Sequence, residues 1–292
     1  MAMKINEKVL KKTVDLCRKR NVVIPTFAEM KDPRKVPEKI KAGLKKVGLW
    51  DVNPLNLFRI TWKNNPDTGA FGDVNYLEIP REITGIKARV VGLIGKYFPT
   101  GAHKVGAAFG CLAPRLVSGQ FDPSSQKAVW PSTGNYCRGG AFDSALLGCT
   151  GIAILPEGMS QERFDWLKEI GAEVIATPGT ESNVKEIYDK CWDIKKNRKD
   201  CVIFNQFEEF GNSCWHYHVT GSAIEEVYTK LKAQNPKLKM AGYSSATGSA
   251  GTIAAGDYLR KVSPHIKIEA NEALQCPTLL LNGFGAHRIE GI

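Results

Sequence analysis

Three short stretches of this 292-residue sequence combine residue types that can do chemistry together. In Phe98-Pro99-Thr100-Gly101-Ala102-His103-Lys104-Val105-Gly106, one lysine opens a run of small and apolar residues. Burial disfavours the ammonium form and the positive end of a helix repels it, so Lys104 is set up as a free amine able to form a Schiff base. The plainer alternative is a lysine snorkelling from a helix start. In Pro131-Ser132-Thr133-Gly134-Asn135-Tyr136, hydroxyls, an amide and free backbone N–H groups gather at a helix start, a receptor for a carboxylate or oxyanion. Such turns also cap helices without any ligand. In Ser244 to Thr252, a loop made only of small residues joins a strand to a helix. Its amides can converge on a phosphate with the Ser249 and Thr252 hydroxyls as further donors, unless it is simply a tight turn.

The third loop matches neither Gly-x-Gly-x-x-Gly nor Gly-x-x-x-x-Gly-Lys-Ser/Thr, so a monophosphate fits better than a dinucleotide or a triphosphate. An activated lysine, an oxyanion turn and a monophosphate cradle together point to an aldehyde cofactor carrying one phosphate. Pyridoxal 5′-phosphate meets all three requirements.

From about residue 90 onward the order and flanks of these loops resemble the cysteine synthase and cystathionine β-synthase family of pyridoxal-phosphate enzymes, with the tryptophan synthase β-like fold (fold type II). The resemblance implies that Lys104 is the Schiff-base lysine and that Asn135 contacts the cofactor ring. It implies that Ser132, Thr133 and Gly134, with Gln206 of Asn205-Gln206-Phe207, bind the substrate carboxylate. It also implies that Gly248, Ser249, Ala250, Gly251 and Thr252 hold the phosphate. Met159 to Arg163 followed by Gly171-Ala172-Glu173 resembles a structural helix and strand, and Gly285 to Ile292 resembles a late family segment.

Three departures stand out. Tyr136 replaces a small threonine, so the substrate pocket is expected to be reshaped. Ala250 replaces a glycine, which still allows amide contacts if that residue avoids positive φ. Glu290 replaces a glutamine near the site. Relatives continue for about another quarter of their length, so the C-terminal part of the large domain is expected to be missing, and no partner for the pyridine nitrogen can be named.

The implied reaction is β-replacement or β-elimination on a serine- or cysteine-type amino acid, through the Lys104 Schiff base and an aminoacrylate, in cysteine biosynthesis. Ammonia-lyase, threonine synthase-like or amino-ketoacid thiolase-subunit chemistry stays open on the same scaffold, and so does a non-catalytic subunit.

Elements able to position these loops are legible from about residue 88, where short β-rich runs alternate with helical periods. We expect helices at 136–147, 161–170, 182–197, 218–233 and 252–261, and strands at 152–155, 173–177, 201–204, 239–243 and 266–270. Ser160 should cap the second helix and Gly171 end it. The expected architecture is α/β, with two doubly wound parallel-sheet domains and the site in the cleft between them. Residues 1–50 would form a basic extension, 51–104 and 211–292 the large cofactor domain, and 105–210 a small mobile substrate domain.

The composition is that of a globular chain, 43% hydrophobic and 24% charged, with no apolar run long enough to span a bilayer. Of the net charge of +10, residues 1–50 carry 14 Lys/Arg against 5 Asp/Glu, so the excess is a local feature. That segment lacks interleaved aromatics, so a solvated face or an acidic partner is expected rather than nucleic acid. Eight cysteines without a Cys-x-x-Cys pair suit a reducing cytoplasm. His216 and His218, two apart, have no completing ligands and are not read as a metal site; His103 is either packed or near the cofactor phosphate. Cys137 is expected to be a buried thiol. The implied partner is a small amino acid, in a homodimer.

Overall fold

A computed structural model describes residues 4–180 and 183–281. The chain begins with helices α1 (Glu7–Arg20), α2 (Phe27–Lys31) and α3 (Glu38–Leu44), followed by β1 (Tyr76–Ile79), α4 (Arg81–Thr84) and β2 (Val90–Leu93). A regular alternation then runs through α5 (Lys104–Val117), β3 (Lys127–Pro131), α6 (Asn135–Leu147), β4 (Thr150–Pro156), α7 (Gln161–Glu169), β5 (Glu173–Thr177), α8 (Val184–Asn197) and β6 (Cys201–Ile203). The last elements are α9 (Phe210–Trp215), α10 (Gly221–Gln234), β7 (Gly242–Ala246), α11 (Ile253–Val262), β8 (Lys267–Asn271) and α12 (Thr278–Leu281).

The α/β class read from the sequence is the one observed. Strands β3 to β6 form a parallel sheet in the order β5-β4-β3-β6, and the period of two along its strands explains how it is covered. Ala128, Trp130, Ala153 and Leu155 face the main core with residues of α5 and α6, whereas Val129, Ile152 and Ile154 pack on Ile187, Cys191 and Ile194 of α8. A sheet buried on both faces needs the nearly continuous apolar runs that these strands carry.

Two further sheets were less legible. Strands β7 and β8 pair in parallel, as a wound sheet requires, but β1 and β2 pair antiparallel, a hairpin that the sequence reading did not anticipate. Strand β7 also begins three residues later than expected. The expected helix at 218–233 is preceded by α9 and a wider five-residue π turn, His216–Thr220.

Local capping explains several helix ends. The Thr26 hydroxyl accepts from Glu29 N while the Glu29 carboxylate accepts from Thr26 N, a closed box that starts α2. Ser160 does precede α7, but its side chain makes no capping bond, contrary to the expectation. Gly171, at φ +86°, does follow the end of α7, where a left-handed residue costs glycine little.

The basic N-terminal segment is sewn to the rest. Val22, Met30, Val36 and Leu44 are buried, and Lys12 pairs with Asp122 at 2.5 Å beside the end of α5. No helix among the described residues is long and apolar enough to cross a membrane.

Candidate active site

Lys104 is the first residue of α5, and the approach to it is conformationally costly. Thr100 at φ +67° and Gly101 at φ +69° are consecutive left-handed residues, and for a buried threonine this costs about 1–2 kcal/mol. Beyond the turn, α5 can lie against the indole of Trp215 because position 106 has no side chain. A Cβ on Gly106 would come within 2.1 Å of that ring. Trp215 is fully buried and so fixes the start of α5 from behind.

The Lys104 amine is half-buried, with Nζ donating to Oε1 of Gln206 at 3.2 Å and to Oγ of Ser249 at 3.5 Å. Both partners are neutral. Desolvation therefore goes uncompensated and pulls the amine down to about 8 from the usual 10.5. This is the activated amine anticipated from the sequence, with burial as its main cause.

The amine opens into a cavity of about 160 Å³ whose wall includes Ser132, Thr133, Gly134, Asn135, Gln206, Gly248 and Ser249. Eight of the site residues read from the sequence, Lys104 included, thus meet at one cavity although they span 145 residues. Ala250, Gly251 and Thr252 are not in its wall. The Thr252 hydroxyl is engaged inside its own loop, with Ser245 Oγ at 2.5 Å and the Ala246 carbonyl at 3.3 Å, so it is not the free donor that the sequence suggested. Ala250 sits at φ +58°, so the condition attached to its replacing a glycine, a backbone outside positive φ, is not met.

Residues with no recognisable sequence signal complete the site. Asn212 of α9 donates through Nδ2 to the Gln206 carbonyl and to Ser249 Oγ, both at 3.0 Å, and so ties the glutamine segment to the small-residue loop. A Cβ on Gly251 would lie 2.1 Å from Asn212 Oδ1, so the loop can close on Asn212 only with glycine there. Arg163, read before only as part of a structural helix, donates to the Thr133 carbonyl at 3.2 Å and also lines the cavity.

Other sequence expectations resolve as follows. The Tyr136 ring packs 5.5 Å from that of Trp130 and its hydroxyl reaches Cys111 Sγ, so most of the added bulk is absorbed by the core. His103 is packed, stacked on Trp62 at 5.7 Å with its Nε2 buried and unpartnered, and burial holds it neutral with a pKa near 3. Cys137 is a buried thiol pushed up to about 12 by desolvation. Among the described residues no three His, Cys, Asp or Glu side chains gather as a metal site. The segment Gly285 to Ile292, with Glu290, lies outside the described residues.

The family model "Pyridoxal-phosphate dependent enzyme" matches residues 96–283, about two thirds of the sequence. The chain belongs to that family. It is 28% identical over 225 residues to a probable cysteine synthase of Bacillus subtilis, covering 75% of this chain and 69% of the relative. It is 31% identical over 195 residues to a cysteine synthase of Staphylococcus aureus, covering 66% of this chain and 60% of the relative. Over 195 residues it is 29% identical to the Saccharomyces cerevisiae cystathionine beta-synthase, of which it spans only 38%. A hydrogen sulfide-producing enzyme from Fusobacterium nucleatum superposes with a TM-score of 0.61 at 28% identity, over 70% of this chain and 60% of that one. These matches bear out the family resemblance and the cofactor class read from the sequence.

The residues present fit pyridoxal phosphate on this structure's own terms. A desolvated primary amine with only neutral partners suits an aldehyde, and among the described residues the N–H groups of Gly248 to Thr252, ahead of α11, have no acceptor and can receive a phosphate.

Proposed function

We propose that the chain catalyses β-replacement or β-elimination on a serine- or cysteine-type amino acid, with Lys104 as the catalytic amine. The observation that carries this reading is the meeting of Lys104 Nζ with Gln206 and Ser249 at one cavity walled by the 132–135 turn. Bound there, pyridoxal phosphate would supply an aldehyde for the amine and a ring that withdraws electrons from the substrate α-carbon.

The protein's own groups do the rest. Lys104, whose amine burial brings down to about 8 so that a usable share is unprotonated near neutral pH, takes the α-proton at Nζ while the bond from Cβ to its substituent breaks and the substituent leaves with the electron pair. In replacement a thiolate then bonds to Cβ and Lys104 Nζ returns the proton to the α-carbon; in elimination water releases ammonia and a keto acid. The turn from Ser132 to Asn135 receives the substrate carboxylate through the N–H groups of Thr133 and Asn135, those of Ser132 and Gly134 being engaged by the Ile154 carbonyl and Ser132 Oγ, with Arg163 steadying the turn through the Thr133 carbonyl. Gln206 orients Nζ, and Ser249 with the following amides holds the phosphate. In this reading residues 105–210 are the substrate-binding unit, and the enzyme works as a cytoplasmic homodimer.

Visible absorbance of the protein reconstituted with pyridoxal phosphate, compared with Lys104→Ala, tests the assignment. A band near the blue edge of the visible range that vanishes in the variant is expected. No band in either protein would sink the enzymatic reading. Release of hydrogen sulfide, pyruvate and ammonia across a panel of amino acids then tests the reaction class, and ammonia from diamino acids alone would overturn the serine/cysteine assignment.

A further inference from the structure

One permanent cation stands in the wall of the Lys104 cavity without a counter-charge. Arg163, half-buried in the first turn of α7, lines that cavity, and among the described residues no aspartate or glutamate does. The arginine ion pairs among the described residues belong to Arg34, Arg89, Arg115, Arg198 and Arg260, so Arg163 has none there. A guanidinium is a fork of several N–H donors, and the side chain uses it for a single contact, from Nη1 to the Thr133 carbonyl at 3.2 Å. The rest of the fork remains for a ligand.

Where that fork lies decides which ligand it meets. Nη1 would stand 3.4 Å from a Cβ on Gly134, so the guanidinium lies against the turn whose Thr133 and Asn135 N–H groups have no acceptor among the described residues. A second guanidinium adds to the positive potential there. Arg138 of α6 is held between the indoles of Trp50 and Trp166, its central carbon 5.3 and 5.0 Å from the ring centres, and does not line the cavity. Burial, and after it the charge of Arg163, lower the proton affinity of Arg138, so the two cations repel each other with no anion between them. A carboxylate on the turn is attracted by both and can form a charge-assisted bond with Arg163, the one that reaches the cavity. Backbone N–H groups accept a carboxylate or a neutral carboxamide through the same kind of oxygen, whereas a guanidinium favours the charged group.

We infer that Arg163 binds the α-carboxylate of the substrate directly and makes a free, ionised carboxylate the feature by which this site selects amino acids. The inference rests on the reading of the 132–135 turn as the substrate receptor, and it gives Arg163 a role in recognition besides its support of the turn.

Absorbance titration of the cofactor-loaded protein with L-alanine and with L-alaninamide tests this, because neither carries a β-leaving group and the readout is binding rather than turnover. In Arg163→Gln the dissociation constant for alanine should rise about tenfold to a hundredfold, while that for alaninamide stays within about twofold. Arg163→Lys keeps the charge without the fork and should fall between wild type and R163Q for alanine alone, which preserves the test if circular dichroism shows R163Q unfolded. An equal loss for both ligands would overturn the inference, since Arg163 would then act only by steadying the turn. Unchanged alanine binding, or a loss of cofactor affinity in its place, would overturn it too. Discrimination as expected in a protein that turns over no serine- or cysteine-type amino acid would sink the proposed reaction and uphold the carboxylate contact.

Discussion

Lys104 Nζ lies 3.2 Å from Gln206 Oε1, a contact between the first residue of α5 and a loop residue 102 positions later. The glutamine is the nearer of two neutral acceptors for an amine that burial has brought to about 8. In the cofactor-free protein, the rate of pyridoxal phosphate capture should therefore climb as pH rises through about 8, where the neutral amine takes over, and not near the 10.5 of an exposed lysine. Gln206→Leu removes an acceptor that favours the ammonium form, so the midpoint should fall below the wild-type value. A midpoint that stays put in stopped-flow absorbance would show that the contact has no such effect.

Ala250 is held at φ +58°, where a Cβ is unfavourable. Ala250→Gly relieves about 1–2 kcal/mol in the folded state and gives back part of it as added freedom in the unfolded chain, a net gain of about 0.5–1 kcal/mol. Urea denaturation measures this directly. A destabilised variant would mean that the alanine methyl makes compensating contacts.

Gly251 and Asn212 are matched to each other. Gly251→Ala places a Cβ 2.1 Å from Asn212 Oδ1 and should cost about 1–3 kcal/mol in stability, along with affinity for pyridoxal phosphate. Adding Asn212→Ala removes the obstacle, so the double variant should be more stable than the sum of the single losses predicts, by about 1 kcal/mol or more. Strict additivity in the four-protein cycle would contradict the close approach.

Asp143 on α6 is completely buried, and neither of its carboxylate oxygens has a hydrogen-bond partner. Burial pushes its carboxyl far above the ordinary 3.8, so the folded state holds a proton that the unfolded chain gives up. The stability this raised pKa contributes is complete below the unfolded value and is lost as pH rises toward the folded one. Asp143→Asn cannot ionise, so it should be more stable than wild type at about pH 7, with the advantage shrinking toward about pH 4. Denaturation at several pH values reads the slope, and parallel curves for the two proteins would rule the mechanism out.

How much was legible depended on whether the signal was local. The strand Glu173–Thr177 and the helix ending before Gly171 follow from period and punctuation along a few residues, and both are observed where expected. The β1–β2 hairpin was missed because Leu77 and Glu78 face solvent while all four residues of β2 are only half-buried, which leaves no alternating pattern to read. The π turn at His216–Thr220 was missed because it reflects packing around Trp62, whose indole donates to Thr220 at 3.0 Å across 158 residues.

Within the site, the sequence alone determined the chemical vocabulary: a lone lysine among small residues, an amide-rich turn and a small-residue loop, each written in consecutive letters. Tertiary structure decided which letters stay free to act. Thr252 is consumed by its own loop, Ala250 is forced into a glycine conformation, and Asn212 and Arg163 arrive from distant helices to hold the pieces together. Residue type fixes what a group can donate or accept, whereas its desolvation and its partners are properties of the packed chain, and those set the Lys104 amine near 8 and leave both Asp143 carboxylate oxygens without a partner.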